Sequence, residues 1–171
     1  AVSIDGSRIT LLDEGTYLVS GALTDGQIVV DAGDTDKVQI VLASASLTCA
    51  DSAAIYSKSA DKVFLTLAEG TENTLTNGGS YTAIDKNNID SVVFSKTDLT
   101  LNGSGSLTID AQAGHGVVSK DELTINGGTF TVDSVDDCLH SGGALAVTGG
   151  TFTLSSGDDA IHSDDAVTIR A

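Results

Sequence analysis

Two pairs of neighbouring aspartates, Asp136-Asp137 and Asp158-Asp159, lie one period apart near the end of the chain (159 − 137 = 22). If the two turns stack, four carboxylates crowd within vertical steps of ~5 Å, and their repulsion raises their pKa values or splays the turns. A hard divalent cation removes that conflict, since Ca²⁺ takes about six to eight oxygen ligands. The alternative is a hydrated acidic turn without an ion. We predict a calcium site formed by Asp136, Asp137, Asp158, Asp159 and Asp164.

Aromatic rings and lysines occupy two further positions of the same repeat. Residues of successive coils lie above one another, so these rings would form a flat, exposed ribbon on which sugar C–H faces can stack. The alternative is that stacked like residues favour one another in a solenoid sheet without any ligand. We predict that polysaccharide is contacted by Tyr56, Phe94, His140, His162, Lys58, Lys96 and Lys120.

The two cysteines, Cys49 and Cys138, lie about three coils apart in this alignment, or roughly 14 Å, which is beyond the reach of a disulfide. We expect both to be free and buried. Together with His140 and His162 they are expected to be too dispersed for a zinc site.

The period itself predicts the fold. Ser119, Ser141 and Ser163 recur at one position of a repeat of about 22 residues, a spacing typical of a stacked solenoid. Each unit holds three short runs of alternating apolar residues separated by Gly and Asp turns, and no helical period. This predicts an all-β fold, a right-handed parallel β-helix with three strands per coil of about 22 residues. The serine hydroxyls should point inward and form hydrogen bonds along the stack.

Residues 1–171 are expected to form one domain. Residues 1–27 should supply irregular strands that cover the N-terminal end of the core. Residues 70–90 break the period and are rich in Asn, Gly, Ser and Thr, so they are predicted to be an inserted loop, either on a binding face or as a plain surface excursion. The sequence ends one strand into a coil, and we expect truncated C-terminal coils, with a cap or end-to-end self-association covering the open edge.

Composition excludes several classes of partner. The net charge of −16 would repel a phosphate backbone, so no nucleic-acid partner is expected. No apolar run of ~18 residues is present, so no membrane span is expected. From the acidity and the fold class we expect an extracellular or bacterial cell-surface location.

Two segments carry a family resemblance. Residues 54–73 and residues 95–107 resemble the bacterial carbohydrate-binding domain-containing proteins, a family of the cell surface. The resemblance implies a right-handed parallel β-helix that binds cellulose and polygalacturonate, carries calcium and is similar in fold to pectate lyases. Coils of the family typically read Asp-Gly-Ile, a basic residue, then Ser or Gly. Here Cys138 and Ala160 replace the glycine, histidines replace the basic residue, and His115 stands where one Asp would be.

Three functions remain open at this point. The first is non-catalytic polysaccharide binding assisted by calcium. The second is a calcium-dependent lyase of the pectate type, whose base would be Lys120 or Lys96; the surrounding carboxylates should keep either lysine charged, which disfavours it as a base. The third is a structural cell-surface spacer.

Overall fold

The computed structural model describes residues 1–170, which form strands and turns with no helix in that range. The strands, in chain order, are β1 (Val2–Asp5), β2 (Arg8–Leu11), β3 (Gly15–Leu23), β4 (Gln27–Asp31), β5 (Lys37–Cys49), β6 (Ile55–Ser59), β7 (Lys62–Leu67), β8 (Glu72–Asn77), β9 (Ser91–Ser95), β10 (Asp98–Gly103), β11 (Ser106–Ala111), β12 (His115–Ser119), β13 (Leu123–Ser134), β14 (Leu139–Ser141), β15 (Leu145–Ser156), β16 (Ile161–Ser163) and β17 (Val167–Ile169).

The strands stack as three parallel ladders. The first ladder is the sheet β2-β4-β6-β9-β12-β14-β16, to which β1 adds an antiparallel edge. The other sheet contains two ladders, because its long strands bend. The first half of β13 pairs with β10 and its second half with β11, and β5 pairs in the same way with β7 and then β8. We call these the second and third ladders. The predicted parallel β-helix with three strands per coil is confirmed.

The predicted register is also confirmed. Ile55, Val93, Val117, Leu139 and Ile161 pair in succession along the first ladder. Inward-facing aliphatic residues of all three ladders form one continuous core cluster. Because alternate residues of a strand point to opposite faces, this register also determines which residues share each outer row.

The serine row points inward, as expected, and its hydroxyls bond to the turns. Ser119 and Ser141 are fully buried. Ser119 Oγ donates to the carbonyl oxygens of Thr97 (3.1 Å) and Glu122 (3.0 Å), and Ser141 Oγ donates to that of Asp121 (2.8 Å). The row thereby ties each turn to the coil beside it.

Two predicted boundaries are wrong. Within residues 1–27 only β1 departs from the stack, because β2 and β3 already lie in register with β4 and β5. Within residues 70–90, β8 is a regular strand of the third ladder. Its inward residues include Asn73 and Asn77, which are buried and hydrogen-bonded to backbone groups of neighbouring coils. The strand was predicted as a loop because a segment rich in asparagine resembles a loop in composition.

The true insertion, residues 78–90, folds against the outer face of the first ladder. A second buried cluster joins Ile89 of this insert to Tyr56, Phe94 and Val118, and Ile84 packs against it. Tyr56 Oη donates to Asp85 Oδ2 (2.7 Å) and accepts from Asn87 Nδ2 (2.7 Å). The insert is therefore a packed part of the fold.

Cys49 and Cys138 are buried and unpaired, as predicted. Within residues 1–170 there is no helix long and apolar enough to cross a membrane.

Candidate functional site

The stacked Asp turns are brought together as the period predicts. His140 lies directly beside His162 in the first ladder. The backbone N–H of Asp159 donates to Asp137 Oδ1 (3.0 Å), and the backbone N–H of Asp137 donates to His115 Nδ1 (3.1 Å). Each of these side chains thus caps the backbone of the next coil, which fixes the vertical alignment of the column.

Two histidines bind the carboxylate that lies three residues before them. His140 Nδ1 is 2.7 Å from Asp137 Oδ2, and His162 Nδ1 is 3.1 Å from Asp159 Oδ2. Asp164 closes the outer end, with its Oδ1 3.2 Å from His162 Nε2. We call these six residues the His–Asp column: His115, Asp137, His140, Asp159, His162 and Asp164.

The three rings of the column follow one another along the ladder, and the outer two stack. The centroids of His115 and His140 are 5.1 Å apart, and those of His140 and His162 are 4.7 Å apart with planes inclined by only 10°. Cys49, Cys138, His140 and His162 were expected to be too dispersed for a zinc site. Both thiols lie in the core, apart from the two histidines. The sheet register does place His140 and His162 on adjacent strands.

Contacts within the column favour the ionised form of Asp137. Burial acts to raise the pKa of Asp137, but the hydrogen bond from His140, the N–H of Asp159 and the nearby His115 outweigh it, so this pKa lies below its ordinary value. Hydrogen bonds to Asp159 and Asp164 raise the pKa of His162. Hydrogen bonds from His140 and from the N–H of Asp159 thus stabilise the Asp137 carboxylate, a role that the sequence suggested for a calcium ion.

The donor set fits calcium only in part. Asp137 is 6% exposed in its side chain, and both of its oxygens already accept hydrogen bonds from protein groups. Asp136 and Asp158 are exposed, and neither carboxylate has a hydrogen bond or ion pair with any residue in the range 1–170. A hard cation is therefore better served by Asp136 and Asp158 than by Asp137.

The predicted aromatic ribbon is not exposed at its N-terminal end. Tyr56 and Phe94 are each 1% exposed, because the insert covers them. The row does point away from the central core, as predicted, but no sugar ring can reach these two side chains. Its C-terminal end, His140 and His162, remains partly exposed.

The three predicted lysines do not converge on the acids. Lys58 Nζ pairs with Asp31 Oδ2 at 2.6 Å. Lys120 Nζ lies 5.5 Å from the centroid of the Phe94 ring. Lys96 is exposed, and among the described residues neither it nor Lys120 forms an ion pair. Within residues 1–170 none of the three lysines therefore forms an ion pair with the stacked aspartates.

A groove on the second ladder was missed from the sequence. The outward residues Thr16, Gln39 and Phe64 pair in succession, and Phe64 is half-buried. They line an open groove of about 690 Å³ together with Glu14, Gly15, Lys37 and Asn102.

Polar side chains across this groove are joined by hydrogen bonds. Thr16 Oγ1 donates to Gln39 Oε1 (2.9 Å), Gln39 Nε2 donates to Thr66 Oγ1 (2.9 Å), and Thr66 Oγ1 donates to Asn102 Oδ1 (2.6 Å). The sequence does contain a sign of this groove, because Phe64 is at the outward position of Val63-Phe64-Leu65. Aligning the strands of the second ladder would have placed it beside Gln39.

The comparisons with known proteins agree with this architecture. The sequence model of the carbohydrate-binding domain-containing proteins matches residues 5–169. The chain belongs to this family. A carbohydrate-binding domain-containing protein of Acetivibrio thermocellus is 36% identical over 133 residues, which cover 77% of this chain and 46% of that protein. The chain thus corresponds to less than half the length of this relative.

A solved structure shows the same fold. The polysaccharide lyase-like protein from C. thermocellum, determined as a gadolinium derivative, superposes with a TM-score of 0.84 at 26% sequence identity. The match covers 99% of this chain and 90% of that protein. Membership of the carbohydrate-binding family and the β-helix fold are therefore both established for this chain.

Proposed function

We propose that this member of the carbohydrate-binding family binds polysaccharide non-catalytically along the outer face of its second ladder. The observation that carries the proposal is the half-buried ring of Phe64, which lies in the 690 Å³ groove between polar side chains of neighbouring strands. Ligand sites combine apolar or aromatic lining with a few fixed polar groups, and this groove has that composition.

Fixed polar groups favour a sugar ligand at this groove. The series Thr16, Gln39, Thr66 and Asn102 is held by its own hydrogen bonds, so little side-chain entropy is lost when hydroxyls of a sugar bind. Lys62 Nζ lies 5.8 Å from the centroid of the Phe64 ring, and Lys37 lines the groove. Both ammonium groups can donate to sugar oxygens beside a ring stacked on Phe64.

Calcium assists binding of acidic polymers in this proposal. With a net charge of −16, the chain repels a polyuronate in the absence of a cation. The exposed carboxylates of Asp136 and Asp158 are on neighbouring coils and can share a hard ion with a uronate carboxylate. We therefore propose cellulose as a cation-independent ligand and polygalacturonate as a calcium-dependent one. Both polymers are extracellular, so the protein would act outside the cell or on its surface.

Affinity electrophoresis in gels containing a soluble cellulose derivative or polygalacturonate tests the proposal. Retardation is expected with the first polymer under all conditions and with the second only in calcium. Phe64→Ala should abolish retardation by the cellulose derivative. Val135→Ala, which removes an exposed apolar side chain elsewhere, should not. Equal retardation of both variants would reject the groove, and no retardation by either polymer would favour a structural spacer.

The same protein preparation can be assayed for lyase activity. This alternative is worth testing because the structural neighbour is described as polysaccharide lyase-like. A β-elimination needs a base within hydrogen-bond reach of the proton α to the uronate, and within residues 1–170 neither Lys96 nor Lys120 forms an ion pair with the stacked aspartates. We expect no rise in the absorbance of unsaturated products when polygalacturonate and calcium are added. A steady rise that Lys120→Ala or Lys96→Ala removes would overturn the non-catalytic proposal.

A further inference from the structure

The two outer histidines of the His–Asp column both direct Nδ1 at a carboxylate of their own coil. Asp137 Oδ2 and Asp159 Oδ2 are carboxylate oxygens, which accept but do not donate, so the Nδ1 atoms of His140 and His162 carry the hydrogens. Nε2 is then the nitrogen of each ring that is left to bind a metal ion. At His162 this atom lies beside Asp164 Oδ1, so a bound metal would replace the hydrogen between the two atoms. Donation of Nδ1–H to a carboxylate is also the arrangement that orients a metal-binding histidine and raises its basicity.

The third donor, Asp164, lies beside one of these two atoms. Asp164 Oδ1 is 3.2 Å from His162 Nε2, and one donor atom from each of His140, His162 and Asp164 lies within 4.8 Å of the others. Two ligands about 2.1 Å from a tetrahedral ion lie about 3.4 Å apart. One pair is therefore already at ligand spacing, and the remaining separation closes with a movement of roughly 1.5 Å or less.

Burial varies along the column in a way that suits a metal centre. The side chain of Asp137, which orients His140, is 6% exposed, whereas His140 is 18%, His162 is 38% and Asp164 is 61% exposed. The donors therefore face solvent and an ion can enter, while the inner orienting carboxylate is held rigidly.

The donor types select among ions. Imidazole nitrogens suit zinc, copper and nickel, whereas calcium takes about six to eight oxygens. The trio of His140, His162 and Asp164 offers two nitrogens and a carboxylate. In the preceding coil Gly142 occupies the position equivalent to Asp164, and a Cβ there would lie 2.6 Å from the carbonyl oxygen of Lys120. Within residues 1–170 the carboxylate of this trio therefore has no counterpart one coil earlier.

We propose that His140 Nε2, His162 Nε2 and the Asp164 carboxylate form a binding site for a divalent first-row transition metal, with Zn²⁺ as the best-fitting ion, and that Asp137 and Asp159 are its positioning residues. The site is separate from the Phe64 groove and from the exposed pair Asp136 and Asp158. It does not depend on polysaccharide binding.

Isothermal titration of the chelator-treated, dialysed chain with Zn²⁺ in excess Ca²⁺ tests this site. One saturable site is expected. His162→Gln and Asp164→Asn should each weaken it at least tenfold, and Asp159→Asn should weaken it about tenfold to a hundredfold. The matched control is Asp165→Asn, an adjacent exposed carboxylate outside the trio, which should bind as the wild type does. Equal zinc uptake by all four variants, or displacement of zinc by calcium, would overturn the site.

Histidine ¹⁵N NMR gives a second readout that does not depend on variants. Before zinc is added, the spectra should show His140 and His162 protonated at Nδ1. On addition of Zn²⁺ the Nε2 resonances of both rings should shift together, with Nδ1 still protonated. Shifts confined to one ring, or to Nδ1, would overturn the proposed coordination.

Discussion

Tyr56 and Phe94 lie on adjacent coils with ring centroids 5.9 Å apart and planes inclined by 60°, and the insert shields both rings from solvent. Tilted aromatic pairs of this kind stabilise a cluster beyond the area that they bury. The insert is therefore held by an apolar contact with these rings and by the hydrogen bonds of the Tyr56 hydroxyl.

Replacing Tyr56 with Phe removes the hydroxyl that bonds to Asp85 and Asn87. We expect a loss of about 1–2 kcal/mol in the free energy of unfolding, measured by urea denaturation, and faster proteolytic cleavage within residues 78–90. The control is Tyr17→Phe, whose hydroxyl bonds only to the carbonyl oxygen of Asp13. Equal cleavage rates in the two variants would show that the hydroxyl of Tyr56 does not secure the insert.

Docking of the insert should weaken in acid through Asp85. Burial acts to raise the pKa of Asp85, but hydrogen bonds from Tyr56 and Asn87 and the charge of Lys58 outweigh it, so this pKa is lowered on folding. The charged and titratable groups around Asp85 include Tyr56, Lys58, Asp31 and Arg8.

A lowered carboxyl pKa contributes stability that is complete above the unfolded-state pKa of about 3.9 and is lost as the pH falls through the folded value. Asp85→Asn cannot make this contribution. We expect the difference in unfolding free energy between wild type and Asp85→Asn to be constant at neutral pH and to shrink below pH ~4. A difference that is independent of pH would contradict the ionic character of this contact.

Substitutions at two glycines distinguish the energetic cost of backbone strain from that of steric overlap. Gly70 and Gly103 both adopt positive φ angles, of 69° and 98°. A Cβ at Gly70 would meet nothing within 4 Å, whereas one at Gly103 would lie 2.1 Å from the carbonyl oxygen of Leu67 on the neighbouring coil. We expect Gly70→Ala to cost about 1 kcal/mol and Gly103→Ala to cost at least about 2 kcal/mol more, measured by chemical denaturation. Equal costs would mean that the coils can separate to admit a methyl group.

The two thiols should be inert in the folded chain. Cys49 and Cys138 are 4% and 0% exposed, and burial raises the pKa of both. Because the thiolate is the reactive form, alkylation by iodoacetamide should be slow in buffer and complete at both residues in guanidinium chloride. Mass spectrometry without reductant should show no disulfide. Rapid labelling of either residue in buffer would indicate local opening of the stack.

The regular coils could be predicted from the sequence because their apolar positions recur every 22 residues, which fixes both the strands and their neighbours. The period also predicts that Asp137 lies beside Asp159. It does not predict which groups relieve their repulsion, because that depends on the rotamers of His140 and His162. Nor does it predict that Asn73 is buried, since asparagine is typical of loops unless neighbouring backbone groups complete its hydrogen bonds.

The insert shows a different limit of prediction from the sequence. Its packing on Tyr56 depends on three apolar residues, Tyr81, Ile84 and Ile89, within a polar segment that has no period. A repeat alignment has no column for such residues, so the exposure of the rings beneath them was predicted wrongly. Apolar residues that interrupt a polar insertion are a useful sign that the insertion docks onto the solenoid.

In the His–Asp column Asp137 caps the backbone N–H of Asp159 in the following coil, and His140 and His162 each bond to a carboxylate of their own coil. A duplicated segment of one period would therefore arrive with its own ring and its own capping carboxylate already satisfied. Lengthening the solenoid by tandem duplication would extend the line of stacked imidazoles by one per copy, so the number of imidazoles is encoded in the number of repeats.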